Sequence, residues 1–176
     1  MAVGDVRAIA VRGSWWRQTP AGRDPFTRSS DPPDGRWQRG EVVDALYLAD
    51  QPDTAWAEWY RALAELQAEP LGQMPRELWR LQVAIERAAD ICGERQLSDV
   101  GLQLPRPGRE SWPAYQAVGE ALHEAGWPAL VAPSAARPGG RVLCIFRVAD
   151  AVSAVTRHSP PQRFEQPPPP PRGLRT

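Results

Sequence analysis

Apolar and polar residues alternate with a period of two along residues 77–86, where Trp79, Leu81, Val83 and Ile85 interleave with Arg80, Gln82 and Ala84. That period predicts a strand with one buried face. Bulky aromatics beside polar residues at 14–19, closed by Pro20, predict a second strand. Short apolar runs at 45–49 (ALYLA), 129–132 and 141–148 predict three more, the first of them buried. A different spacing sets in after the Gln51-Pro52-Asp53 turn. Trp56, Trp59, Tyr60, Leu63 and Leu66 recur every three or four residues, which predicts a helix with Asp53 as its N-cap. Tyr115, Val118, Leu122 and Ala125 predict another over 112–125, with Pro113 near its start and Gly126 after it.

Between these elements the chain reads as loop. Residues 21–35 are rich in Pro, Gly, Asp, Arg and Ser, and so long a loop in a compact domain is a candidate functional segment. Residues 88–107 read as loop with one helical turn near 97–100. Residues 1–14 read as a weak strand or arm, 15–157 as one domain, and 158–176 as a tail. Five consecutive prolines, 167–171, make that tail an extended polyproline segment, disordered alone, with docking on an aromatic groove as the alternative.

Composition narrows the function classes. The 21 cations balance the 21 anions, so no net field draws the chain to nucleic acid or to an acidic membrane. All the cations are Arg, which rules out a lysine Schiff base and leaves guanidinium groups, backbone N–H and hydroxyls to hold any phosphate. Cys92 and Cys144 follow no metal or redox spacing and are expected to be reduced, buried thiols. No run approaches the ~20 apolar residues of a membrane helix, and the apolar run at the N-terminus is too short to read as a signal peptide. The expectation is a cytoplasmic protein. His123 falls among the polar positions of its helix and His158 in the tail, so both are expected at the surface, which disfavours a serine-hydrolase triad.

The candidate chemistry lies in 35–58, which carries a cation (Arg36), an aromatic hydroxyl (Tyr47) and a carboxylate in the first turns of a helix (Glu58). Glu58 falls opposite Trp56 and Tyr60 and shares a face with Ala55, Ala62 and Glu65, small neighbours that leave room for a ligand. These residues read as a pocket for a phosphorylated ligand. Ser134 joins them as a hydroxyl at a strand end. Taken singly, each has a plainer reading. Glu58 could be a dipole-favoured surface acid, Arg36 a partner of Glu41 or Asp44, Tyr47 a core aromatic and Ser134 a turn residue.

The ordered series Trp16-Arg17, DPF (24–26), GRW (35–37), LYLA (46–49), AWAE (55–58) and VAPSA (131–135) resembles the RES domain over about 15–148. On that resemblance the family's Arg, Glu and Ser are Arg36, Glu58 and Ser134, assigned as catalytic, with Arg17, Arg36, Tyr47 and Ser134 contacting the substrate. The resemblance implies an α+β fold similar to ADP-ribosyltransferases, a compact single domain with a small mixed or antiparallel sheet and flanking helices. It implies cleavage of the nicotinamide–ribose bond of NAD+ by a toxin of a bacterial toxin–antitoxin pair, as a glycohydrolase or phosphorylase. The alternatives are transfer of ADP-ribose to a protein acceptor, or a binding module with weakened catalysis. NAD+ would be substrate, with inorganic phosphate a possible co-substrate and no prosthetic group or metal. The implied partner is a helix-turn-helix antitoxin, with a homo-oligomer also possible. The chain departs from the family pattern at Asp34, Gln38 and Thr27-Arg28, all in the loop expected to face the ligand.

In that setting Glu58 would face the developing ribose cation, Arg17 and Arg36 would grip the diphosphate, Tyr47 would stack on nicotinamide or ribose, and Ser134 would orient a ribose or phosphate oxygen.

Overall fold

A computed structural model describes residues 6–147 and 151–176. Seven strands are assigned: β1 (Ala8–Pro20), β2 (Ala45–Ala49), β3 (Arg76–Asp90), β4 (Ala129–Pro133), β5 (Arg141–Phe146), β6 (Val155–Arg157) and β7 (Gln162–Phe164). Three α-helices accompany them: α1 (Pro52–Leu66), α2 (Glu94–Asp99) and α3 (Trp112–Glu124). The sheet runs β1-β2-β5-β4-β3, and β1 then pairs β3, so the small mixed sheet expected is closed into a five-stranded barrel. All pairs in the ring are antiparallel except β3–β4, whose crossover contains α2 and α3.

Closure explains why the short strands read as continuous apolar runs. Leu46 and Leu48 on β2, Ala129 and Val131 on β4, and Leu143 and Ile145 on β5 pack inside with Trp15, Leu81, Val83 and Ile85. Their alternating neighbours Leu130, Ala132, Val142, Cys144 and Phe146 pack outside, against Leu97, Tyr115, Val118 and Leu122 of α2 and α3. Each strand is thus apolar on both faces. On another side, Trp56, Trp59 and Leu63 of α1 cover Ala49 and Leu78.

Several boundaries differ from the expectation. β1 begins at Ala8, so 8–14 are strand, the first of the two readings of that segment, paired antiparallel with β3 and not an arm; residues 1–5 lie outside the described residues. β5 ends at Phe146, and Val148 lies outside the described residues. The N-cap of α1 is Gln51, with Pro52 and Asp53 already in the first turn, because proline suits the first helical position. Leu66 is exposed, whereas the rest of the α1 stripe is buried or partly so. Cys92 and Cys144 are free thiols, Cys144 buried and Cys92 partly so. Both thiols are pushed up to about 12, chiefly by burial.

The tail departs most from its expected disorder. β7 pairs β3 at Arg76–Leu78 positions, through Arg76↔Phe164 and Leu78↔Gln162, and Phe164 packs edge-on to Trp56 at 5.0 Å. Beyond it, Tyr60 donates its hydroxyl to the carbonyl of Pro168, and the Arg175 N–H donates to the Ala136 carbonyl at 2.8 Å. Aromatic side chains on α1 supply the docking surface that composition alone does not reveal. Among the described residues, no helix is long and apolar enough to cross a membrane.

Candidate active site

A cavity of about 720 Å3 opens between α1, the C-terminal end of β2, the 23–38 loop and the turn after β4. Glu58 faces it from α1, and Arg17, Arg36 and Tyr47 line it as well. Four of the five residues singled out in the sequence therefore share one cavity. The fifth, Ser134, is only 5% exposed, and the wall beside it is made by its neighbours Pro133 and Ala135.

Glu58 is held from two sides. Ser134 Oγ donates to Oε1 at 2.6 Å, and Arg61 Nε donates to Oε2 at 3.0 Å. Ser134 Oγ itself accepts the N–H groups of Ala136 (3.1 Å) and Arg137 (3.0 Å), which fixes the direction of its proton toward the carboxylate. The hydroxyl expected to meet substrate is thus committed to Glu58. The turn carrying it is tied to the start of α1 by Arg137, which donates to Gln51 Oε1 and Thr54 Oγ1.

Arg36 is 7% exposed and pairs with neither Glu41 nor Asp44. Its guanidinium donates to the Arg106 carbonyl at 2.7 Å and to Ser111 Oγ at 3.3 Å, and lies 5.1 Å from the Tyr115 ring centroid. Burial, then the charge of Arg61, lowers its pKa. Tyr47 presents its ring to the cavity, but its hydroxyl accepts the Trp37 N–H at 3.1 Å and lies against Gly35, where a Cβ would sit 2.7 Å from the oxygen. Burial raises the phenol well above its ordinary range, so it stays neutral. Tyr47 therefore pins the 35–37 turn. Arg17 donates to the Tyr47 carbonyl at 3.0 Å, and its pKa falls to about 10 through burial and the nearby charges of Arg147 and Arg23.

Two of the three departures in this loop, Asp34 and Gln38, bond to its own backbone. Asp34 Oδ1 accepts the Gly40 N–H at 2.9 Å, and the Gln38 amide donates to the Pro33 carbonyl at 2.8 Å. The Asp34 charge is thus engaged with backbone at the cavity edge.

Sequence reasoning missed Arg61, Arg76, Arg109 and Arg147, all of which line the cavity. Arg61 bridges Glu58 and Glu65 along α1. Glu65 in turn accepts the Gly108 N–H at 3.1 Å, joining α1 to the same 106–111 loop that holds Arg36. Arg76 reaches Gln18 and lies 5.5 Å from the Trp59 ring centroid; burial lowers it to about 10. Arg147 donates to the carbonyls of Phe26 and Thr27. The i, i+3 and i, i+4 acids beside Arg61 were the available signal, but the same spacing marks ordinary surface pairs.

The cavity thus sets Glu58, and Glu65 beside it on α1, among several guanidinium groups, an arrangement suited to an anionic ligand in which positive charge develops. A probable NAD(+) phosphorylase of Mycobacterium tuberculosis is 30% identical over 178 residues, spanning 98% of this chain and 82% of that protein. In fold, the chain matches one in the crystal structure of the M. tuberculosis MbcT–MbcA toxin–antitoxin complex, with a TM-score of 0.74 and 21% identity, covering 89% of this chain and 86% of that one. The family profile described as the RES domain matches residues 10–166, and the chain belongs to the RES domain family.

Proposed function

We propose that the chain degrades NAD+ by breaking the bond between nicotinamide and ribose, with inorganic phosphate as the acceptor, and that it is the toxin of a toxin–antitoxin pair. The observation that carries this reading is Glu58, fixed by Ser134 and Arg61 on the wall of an arginine-lined cavity. The name of the 30% identical relative supports phosphate as acceptor, and the toxin–antitoxin complex of similar fold supports an antitoxin partner.

Nicotinamide leaves NAD+ with the electron pair of the C–N bond and needs no proton, because its ring nitrogen is already cationic. The positive charge then resides on the ribose, as in glycoside cleavage. The Glu58 carboxylate faces that charge, held in place before the reaction begins. Arg17 and Arg36 lie where they can attract the diphosphate, and the ring of Tyr47 offers a flat apolar surface to nicotinamide or ribose. A phosphate oxygen then bonds to the ribose carbon, giving ADP-ribose 1″-phosphate.

Purified protein should consume NAD+ and release nicotinamide, and mass spectrometry should find the phosphorylated sugar only when phosphate is supplied. Glu58→Gln should lower kcat by about a hundredfold or more, with the circular dichroism spectrum unchanged. Equal turnover by the variant would remove Glu58 from the chemistry. Free ADP-ribose as the sole product, with or without phosphate, would make water the acceptor.

A further inference from the structure

The tail connects two elements that build the site from behind. β7 extends the second edge of β3, next to the position of β6, and brings Phe164 onto Trp56 of α1. The proline run then crosses the face of α1 opposite Glu58, where Tyr60, two residues further along, donates to the Pro168 carbonyl and Pro171 is buried. The chain ends its path on the turn after β4, where the Arg175 N–H donates to the Ala136 carbonyl at 2.8 Å. The N–H of that same Ala136 points the other way, 3.1 Å from Ser134 Oγ and 3.4 Å from Glu58 Oε1. One end of the strap therefore grips the helix that carries Glu58, and the other grips the turn that carries its hydrogen-bond partner. The family match ends at residue 166, before the prolines begin.

We infer that residues 167–176 are a positioning strap for the Glu58–Ser134 pair, holding α1 and the 134–140 turn in register so that the carboxylate keeps its orientation. Proline suits this task. Its fixed φ makes the undocked segment already extended, so a few contacts order it at small entropic cost. The inference rests on Glu58 being the carboxylate that serves the reaction, but the strap's hold on the turn can be measured without turnover.

Two variants test it: a chain ending after Gln166, and the full chain carrying Tyr60→Phe, which deletes only the hydroxyl that meets Pro168. Amide hydrogen exchange at residues 134–137 should accelerate in the shortened chain by about tenfold. In steady-state NAD+ consumption, kcat should fall about tenfold with KM for NAD+ little changed, since small misplacement of a reacting group costs rate. Tyr60→Phe should show the same pattern more weakly. A synthetic peptide of residues 167–176 added to the shortened chain should restore protection and rate together.

Unchanged exchange and unchanged kcat in the shortened chain would overturn the strap. So would a loss of kcat with no change in exchange. If the full chain itself consumes no NAD+, the proposed activity fails, while exchange at the turn still decides whether the tail holds it. If the shortened chain does not fold, Tyr60→Phe carries the test, and normal exchange and rate in that variant overturn the proposal.

Discussion

In the proposed reaction Ser134 would act through Glu58, without meeting the substrate itself. It donates to Glu58 and accepts two backbone N–H groups, and so fixes which carboxylate oxygen is shielded and which is met by Arg61. A hydrogen bond to a charged group contributes about 1.5–3 kcal/mol. Ser134→Ala should therefore lower kcat by about ten- to a hundredfold and leave KM for NAD+ nearly unchanged in steady-state assays. A rise in KM alone would instead place the hydroxyl on the substrate. The sequence made Arg36, Tyr47, Glu58 and Ser134 visible because each stands in a short ordered motif. It hid how Tyr47 and Ser134 spend their polar atoms, which depends on neighbours distant along the chain: Trp37 for one, Glu58 for the other. Arg61 stayed hidden for a different reason, since a cation one turn from an acid is common on any helix surface.

At the scale of elements, the 35–38 turn and α3 form one unit. Gly119 allows the helix to lie directly on the Trp37 carbonyl; an added Cβ there would sit 2.0 Å from that oxygen. Neither group is a flexible side chain, so the helix must shift. Gly119→Ala should destabilise the fold by about 1–3 kcal/mol, read as a lower midpoint in urea, and should weaken NAD+ binding because Arg36 adjoins Trp37. An unaltered midpoint would show that α3 can move without strain. Gln116 ties the same two elements, donating to the carbonyls of Gly35 and Gln38. Local periodicity located α1, α3, β2 and the middle of β3 because the buried stripe of each repeats at the period of its backbone. It did not locate the start of β1 or the fate of the tail. Residues 8–14 are strand because β3 lies beside them, and the prolines are ordered because Tyr60 and Ala136 bond to that segment. Both are contacts between distant residues, outside the reach of any window.

At the scale of the whole molecule, the barrel follows from the length of β3. Its fifteen residues pair β1 along one edge and offer the other to β7, β6 and β4 in turn, so neither edge is left open over most of its length. Edge protection of this kind limits pairing with other chains. No local pattern predicts it, because a ring and an open sheet present the same alternation. The ring is uneven, however. β1 and β3 pair from Ala8↔Ala89 to Pro20↔Arg76, whereas the backbone register of β1 and β2 is one pair, Trp16↔Ala49. Both residues of that thin seam line the cavity. A molecule seated there would serve as the stave the cask lacks. Occupancy and mechanical closure then become one event: saturating ADP-ribose should slow amide exchange at Trp16 and Ala49 in concert, and exchange indifferent to the ligand would mean that the cask is already tight when empty.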